Sequence, residues 1–254
     1  MTEQREDGVD VEYVVVDPGS TDDSGHVIER HASRIDKVIR GADSGPADGL
    51  NRGFQASTGE ILGFINADDY LEPHALATIV RFFCDNPDVD VVTGGLVVHQ
   101  QGSLIRHRVV LPPPLTLERW AHGHVAILQQ STFFRRRAWV ATPGFNEANA
   151  SNWDAELFLE MLASGASFGT IHNVLAHFRI YGDSITGSGR LEADHARRSR
   201  QLRQRAAAAV ELEKRPRWLA LATTSAWRAR PRIRAKELAL TLTLPLRARN
   251  SPRR

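Results

Sequence analysis

The chain has 254 residues, 42% of them hydrophobic and 24% charged, which allows a substantial buried core and excludes a disordered chain. Its one cysteine, Cys84, excludes an intrachain disulfide framework and a cysteine-based zinc site and fits a reducing compartment. The net charge of +2 hides an asymmetry: residues 190–254 carry 18 Lys and Arg against 5 Asp and Glu, and the preceding residues 14 against 25, so an acidic body leads into a basic end.

No apolar run is long enough to cross a bilayer, and the opening MTEQREDGVD lacks the apolar core of a signal peptide. The expectation is a cytoplasmic protein, with the inner face of the cell membrane as a further station for the basic end.

In chain order, VEYVVVD (11–17) is β-branched and aromatic and reads as a strand, and PGSTDDSGHVIERHA supplies a turn, caps and a helical pattern. IDKVIRG (35–41) reads as a second strand, and GPADGLNRGFQAS (45–57) as a helix with Ala47, Leu50 and Phe54 on one face. The strand ILGFIN follows and runs into Asn66-Ala67-Asp68-Asp69. EPHALATIVRFFCDN reads as a helix opened by Pro73. DVDVVTGGLVVHQ and SLIRHRVVL read as a hairpin around Gly102, and LPPPL (111–115) as a spacer. HVAILQQSTFFRRRAW holds a Phe-rich strand, and NWDAELFLEMLASG an amphipathic helix with Leu157, Met161 and Leu162 on one side. The segment FGTIHNVLAHFRIYGDSITGS precedes an Arg/Ala-rich helix from about residue 190. Alternating strands and helices of this size imply an α/β fold with a Rossmann-like, mainly parallel sheet flanked by helices, whose ligands bind at the carboxyl ends of strands. That places Asp17 and the 66–69 cluster along one edge.

Two adjacent carboxylates repel unless a cation neutralises them. Hard oxygen ligands suit Mg or Mn, which keep sites for water and substrate phosphates. The competing reading is a helix cap ahead of Pro73. Asp17 can accept hydrogen bonds from a base or sugar edge. DSGPADGLNRG (43–53) sets Asp48, Asn51 and Arg52 beside glycines that let a backbone approach a ligand.

EYVVVDPGSTDDS, DSGPADGLNRGFQASTGEILGFINADDYLEP, QQSTFFRR and FRIYGDSITGS together resemble the nucleotide-sugar-dependent glycosyltransferases of family 2, of the bacterial polysaccharide-building type, over about residues 11–188. The resemblance implies a GT-A fold and an inverting, metal-dependent transfer from a nucleoside-diphosphate sugar to a glycan or lipid-linked saccharide. It implies that Asp17 and Asp48 contact the nucleoside and that Asn66 faces the ribose. Asp68 would bind the divalent metal (Mn or Mg) that bridges the diphosphate, with Asp69 in support. NWDAELFLEML resembles the family's base-bearing helix start, with Asp154 as general base and Glu156 in the second acidic place. Gln129, Gln130 and Ser131 match a segment lining the acceptor side. A carboxylate at a helix start also reads as a cap, and the macrodipole there would weaken it as a base.

Two departures from the family matter. Its usual opening strand, loop and helix have only ten residues in which to precede Val11: either the start of this chain is misplaced, or the expected fold lacks the usual first strand and one wall of the base pocket. A non-catalytic truncated relative, acting as a binding or partner subunit, is the rival that this departure supports. The other is Tyr181 in FRIYGDS, where relatives often have histidine. The expected division is residues 1–189 as the transferase domain and 190–254 as a basic, partly helical tail. That tail reads as an anionic-membrane contact or as a solvated segment, and no nucleic-acid module accompanies it.

Overall fold

The computed structural model describes residues 8–100, 106–182 and 188–210. The β-branched run at the start forms β1 (Val14–Asp17), parallel to β2 (Lys37–Arg40), with α1 (Ser24–Arg30) and a short 3-10 turn (Ala32–Arg34) as the crossover. Asp17 lies opposite Arg40 at the carboxyl ends of the pair.

Next comes α2 (Pro46–Ala56), which carries its proline in the first turn and buries Ala47 and Phe54, as its periodicity predicts. Gly49 and Gly53, one turn apart, face β1: a Cβ on Gly53 would lie 3.1 Å from Val16 Cγ2, and one on Gly49 2.8 Å from Asp43 Oδ2. These two glycines let α2 lie close against β1 and the loop that follows β2.

The larger sheet holds β3 (Ile61–Leu62), β4 (Tyr70–Leu71), β5 (Val91–Gln100), β6 (Arg106–Val110), β7 (Thr132–Arg135) and β8 (Phe168–Ile180). Its order is β3-β7-β5-β8-β4, with β6 also paired to β5. Within it only β5 and β8 run parallel; β3–β7, β5–β7, β4–β8 and β5–β6 are antiparallel. The α/β fold is as expected, but the sheet is mixed rather than mainly parallel. Parallel neighbours require a crossover of a dozen or more residues. Such a crossover links β5 to β8, whereas β6 turns straight back on β5. Gly102, the expected hairpin tip, lies outside the described residues.

On one face of this sheet α3 (Ala75–Asp85) buries Ala75, Ile79 and Phe83 against Val92, Phe133 and Leu175. The core on the other side joins Phe54, Val91 and Phe134 to α6 (Trp153–Ala163) and α7 (Glu192–Ala209). Two short helices, α4 (Leu117–Ala121) and α5 (Arg136–Val140), flank it; Thr116 caps α4 by accepting from the Arg119 amide. In α6 not only Leu157 and Met161 but also Ala155, Phe158 and Leu159 are buried. The helix is apolar on more than one side because α7 covers the flank that would otherwise face water.

The helix that follows residue 190 packs onto this body. Leu202 and Ala206 of α7 are buried in the same core as Phe54 and Phe158. Asn152 Nδ2 donates to Ser199 Oγ at 2.8 Å, and Arg205 pairs with Glu156 and Glu160. The basic end thus begins with a helix built into the body; residues 211–254 lie outside the described residues.

Among the described residues the β1–β2 pair shares no strand pairing with the larger sheet. What joins them is α2 and the carboxylate of Glu12. Glu12 accepts from Lys37 Nζ at 2.7 Å and from the amides of Thr58 and Gly59 just ahead of β3. Those bonds, with Lys37 foremost, hold its pKa down at about 2.

Candidate active site

Asp17 closes β1 and is buried; its Oδ1 accepts from the amides of Ser20 (2.8 Å) and Gly19 (3.2 Å), and Arg40 stands 4.0 Å away. The Ser20 amide, above all, holds the carboxyl below the ordinary range. Asp48, in the first turn of α2, accepts from the Ser44 amide at 2.9 Å and takes a two-pronged contact from Arg52, 2.8 Å from Nε and 2.7 Å from Nη2. Led again by the backbone amide, these bonds lower its pKa. Both acids are therefore ionised and ordered, and each fixes the loop beside the strand end.

Asn51 reaches elsewhere. Its side chain donates to the Phe145 carbonyl and accepts from the Phe145 amide, both at 2.9 Å. This pins α2 to the segment that leads into α6.

The two carboxylates that follow Asn66 differ sharply. Asp69 is 8% exposed, and all three hydrogen bonds to its carboxylate come from the protein. Burial pushes its pKa up against the pull of the Arg179 amide and the Gln130 side chain. Asp68 is half-exposed, and no hydrogen bond or ion pair among the described residues engages its carboxylate. Adjacent acids are tolerable here because one is folded inward and satisfied while the other faces outward.

The fit to a metal follows from that donor set. Among the described residues no group of three or more His, Cys, Asp and Glu side chains could hold a metal ion. A single outward carboxylate suits Mg or Mn carried in largely by a diphosphate, since such ions use one or two protein carboxylates and complete their shell with phosphate and water. Asp68 fits that role.

Asp154 opens α6 and is half-buried. Burial raises its pKa, outweighing the Ala155 amide that bonds Oδ1 at 2.8 Å and the nearby His195. Phe64, two residues before Asn66, packs 5.6 Å from Trp153, next to Asp154, and 5.5 Å from Phe145. These rings bring the 66–69 turn and the start of α6 together.

Gln129, Gln130 and Ser131 form a buried 3-10 turn ahead of β7. Gln129 Nε2 donates to the Phe64 carbonyl at 2.8 Å, Gln130 to Asp69, and Ser131 Oγ to the Gly94 carbonyl at 2.9 Å. Glu156 accepts from Asn146, Asn149 and Arg205. Gln129, Gln130 and Ser131 are buried, while Glu156 lines a pocket with Asn149, Arg198 and Arg205.

Arg179 went unread in the sequence. Its amide donates to Asp69 Oδ1 at 2.9 Å, its Nε donates to the Asp68 carbonyl, and its guanidinium lies 6.0 Å from the centre of the Tyr70 ring. Tyr70 in turn stacks on His177 at 4.3 Å, and His177 bridges Glu72 (2.6 Å) and His99 (2.7 Å). The signal was a lone arginine in a strand that ends beside an acidic turn, and only the β4–β8 register brings those two together.

Glycosyl transferase family 2 matches residues 2–142. An uncharacterized glycosyltransferase of Nostoc sp. (strain PCC 7120) is 42% identical over 87 residues, 33% of this chain and 27% of the relative. Chondroitin synthase of Pasteurella multocida (strain Pm70) is 28% identical over 70% of this chain and 18% of its own length. For succinoglycan biosynthesis protein ExoU of Rhizobium meliloti (strain 1021) the figures are 27%, 70% and 56%. The chain thus spans between about a fifth and just over half of the length of these curated relatives.

Among solved structures, S. aureus TarS 1–349 in complex with UDP-GlcNAc superposes with a TM-score of 0.59 at 16% identity, covering 78% of this chain and 57% of that one. A mannosyltransferase from Pyrobaculum calidifontis in complex with GDP-Man and Mn2+ does so with a TM-score of 0.54 at 18% identity, covering 90% and 75%. At those identities the likeness speaks for the fold alone. Over more than half its length, and in a mixed sheet flanked by helices of GT-A type, the chain belongs to glycosyl transferase family 2.

Proposed function

We propose that the chain is a metal-dependent, inverting glycosyltransferase that moves a sugar from a nucleoside-diphosphate donor to a glycan or lipid-linked saccharide acceptor. The observation that carries this reading is that the segment leading into the outward carboxylate Asp68 meets, through the Phe64–Trp153 contact, the helix start that bears Asp154, a half-buried carboxylate whose pKa is raised. The neighbours that hold UDP-GlcNAc, or GDP-Man with Mn2+, lend support to the donor class and the metal.

In this reading Asp17 and Asp48 order the strand-end loops that receive the nucleoside, and Asn66 meets the ribose. Asp68 anchors a divalent metal, Mn or Mg, which when bound supplies positive charge to the departing diphosphate. Asp154 accepts the proton of the acceptor hydroxyl as that oxygen bonds to the anomeric carbon. The bond to the diphosphate breaks with its electron pair going to the phosphate oxygen. Attack from the face opposite the leaving group inverts the anomeric centre. A raised pKa suits a base that must hold a proton once it has taken one.

The membrane contact of the basic end belongs to the same proposal. In α7, Arg197 and Arg198 are paired with Asp194, and Arg205 with Glu156 and Glu160. Contact with an anionic surface would therefore rest on the other basic residues of 190–254, Arg200 and Arg203 of α7 among them, and vesicle binding unaffected by deleting 211–254 together with Arg200→Ala and Arg203→Ala would exclude it.

The deciding experiment is calorimetric titration of UDP, GDP and other nucleoside diphosphates, with and without manganese, into wild type and Asp68→Ala. Metal-dependent binding lost in the variant is the expected result. No metal-dependent binding by the wild type would overturn the proposal.

A further inference from the structure

Asp69 stands next to the proposed metal anchor, yet its surroundings give it a different task. Its carboxylate is gripped from three segments. The Arg179 amide of β8 donates to Oδ1 at 2.9 Å, Gln130 Nε2 to Oδ2 at 3.2 Å, and Asn66 Nδ2 to Oδ2 at 3.3 Å. The turn itself is closed by the Asp69 amide donating to the Asn66 carbonyl at 3.1 Å. Gln130 is 7% exposed, and Gln129 beside it ties the same 3-10 turn to Phe64. Arg179 adds a second tie by donating from Nε to the Asp68 carbonyl.

We infer that Asp69 is a positioning residue: its carboxylate clamps the Asn66–Asp69 turn onto Gln130 and β8, so that Asp68 alone faces the metal and the diphosphate. This rests on the reading of Asp68 as the metal anchor. An ionised carboxylate offers about four acceptor sites, and three of them are occupied by protein donors. Turning it toward a cation would leave the buried Gln130 amide or the Arg179 amide without an acceptor, the loss of one buried hydrogen bond in each case. Asp68 can meet a cation with no such loss. A clamp needs acceptor geometry at position 69 and not its negative charge, and this separates it from a ligand.

The test titrates manganese with UDP or GDP, whichever the wild type binds, into wild type, Asp68→Asn, Asp69→Asn, Asp69→Ala and the double variant Asp69→Asn with Gln130→Glu. Calorimetry reads the affinity, and the manganese electron-spin signal reads the bound metal, without reliance on turnover. In Asp69→Asn the amide oxygen still accepts from the Arg179 amide, and its Nδ2 can donate to a reversed Gln130. Metal-dependent affinity should then stay within about threefold of wild type, whereas Asp69→Ala loses roughly tenfold, the scale of one buried hydrogen bond. The double variant moves the charge off position 69 while restoring donor to acceptor, and should match Asp69→Asn or improve on it.

Asp69→Asn abolishing metal-dependent binding as completely as Asp68→Asn would overturn the clamp while leaving the anchor intact. A wild type without metal-dependent binding would overturn both, and the wild-type arm tells the two failures apart. Should Asp69→Ala not fold, Asp69→Asn alone decides.

Discussion

The Phe64 and Trp153 rings lie 5.6 Å apart, tilted by 44°, and this contact joins the turn that bears Asp68 to the helix start that bears Asp154. The turn has further supports in Gln129, which holds the Phe64 carbonyl, and Gln130, which holds Asp69; the helix start, tied to α7 through Asn152 and Ser199, meets the turn through the Trp153 ring, which also packs 5.7 Å from Phe145. Trp153→Ala should therefore slow transfer by about 10–100-fold, the scale of a base displaced from its acceptor. Metal-dependent nucleotide affinity should stay within about threefold, and calorimetry beside steady-state kinetics would show that split.

Asp154→Asn should leave nucleotide binding unchanged and reduce turnover by about 10²–10⁴-fold, the usual worth of a general base. Because burial raises the Asp154 pKa, the acid limb of the wild-type pH–rate profile should lie above the ordinary aspartate range. The rate should drop as pH falls through that limb. The same shift has a stability consequence of opposite sense: the ionised group penalises the folded state above its folded pKa, and the penalty vanishes below its unfolded pKa. Asp154→Asn should then melt higher than wild type near neutrality, with the gap closing in acid. Equal melting temperatures across that range would count against burial as the cause.

Glu12 binds Lys37, Thr58 and Gly59, with its pKa lowered from 4.5 to about 2. The stability it contributes is present above its unfolded pKa and is lost as pH falls through the folded one. Glu12→Gln should cost about 1–3 kcal/mol near neutrality, as hydrogen bonds to a charged group do. The difference from wild type should shrink between pH 4.5 and about 2. Denaturant melts at a series of pH values would follow it.

Leu202 is buried in the core shared by α2, α6 and α7, so Leu202→Ala should destabilise the fold by about 2–5 kcal/mol. Arg205→Ala, on the exposed side of the same helix, should cost about 1 kcal/mol or less, since solvent screens its pairs with Glu156 and Glu160. A chain stopped at residue 190 should lose the cooperative melt of the longer one. If it melted unchanged, α7 would be no part of the domain.

Much of the architecture was legible where periodicity was strong. The strands at 11–17 and 35–41, the helix at 45–57 and the hairpin partners before and after Gly102 all stand where their patterns put them. Sheet direction was not legible, because strand pattern carries no sign for its neighbour. The packing of α7 was not legible because charge composition masks two apolar residues: Leu202 and Ala206 sit four apart on one face of an arginine-rich helix, and both are buried. In the site, the acids were readable from the sequence as residue types. Their unlike environments were not, since what turns Asp69 inward is Gln130, 61 positions away, and Arg179, 110 positions away.

The separation of β1–β2 from the larger sheet gives a bound donor a mechanical part to play. Asp17 belongs to the small pair and Asp68 to a turn of the large sheet, and between them run α2 and the Glu12 bonds in place of any continuous ladder among the described residues. A nucleotide sugar touching both acids would act as a splint across that seam. It would stiffen the joint between two sheets that share no strand pairing among the described residues.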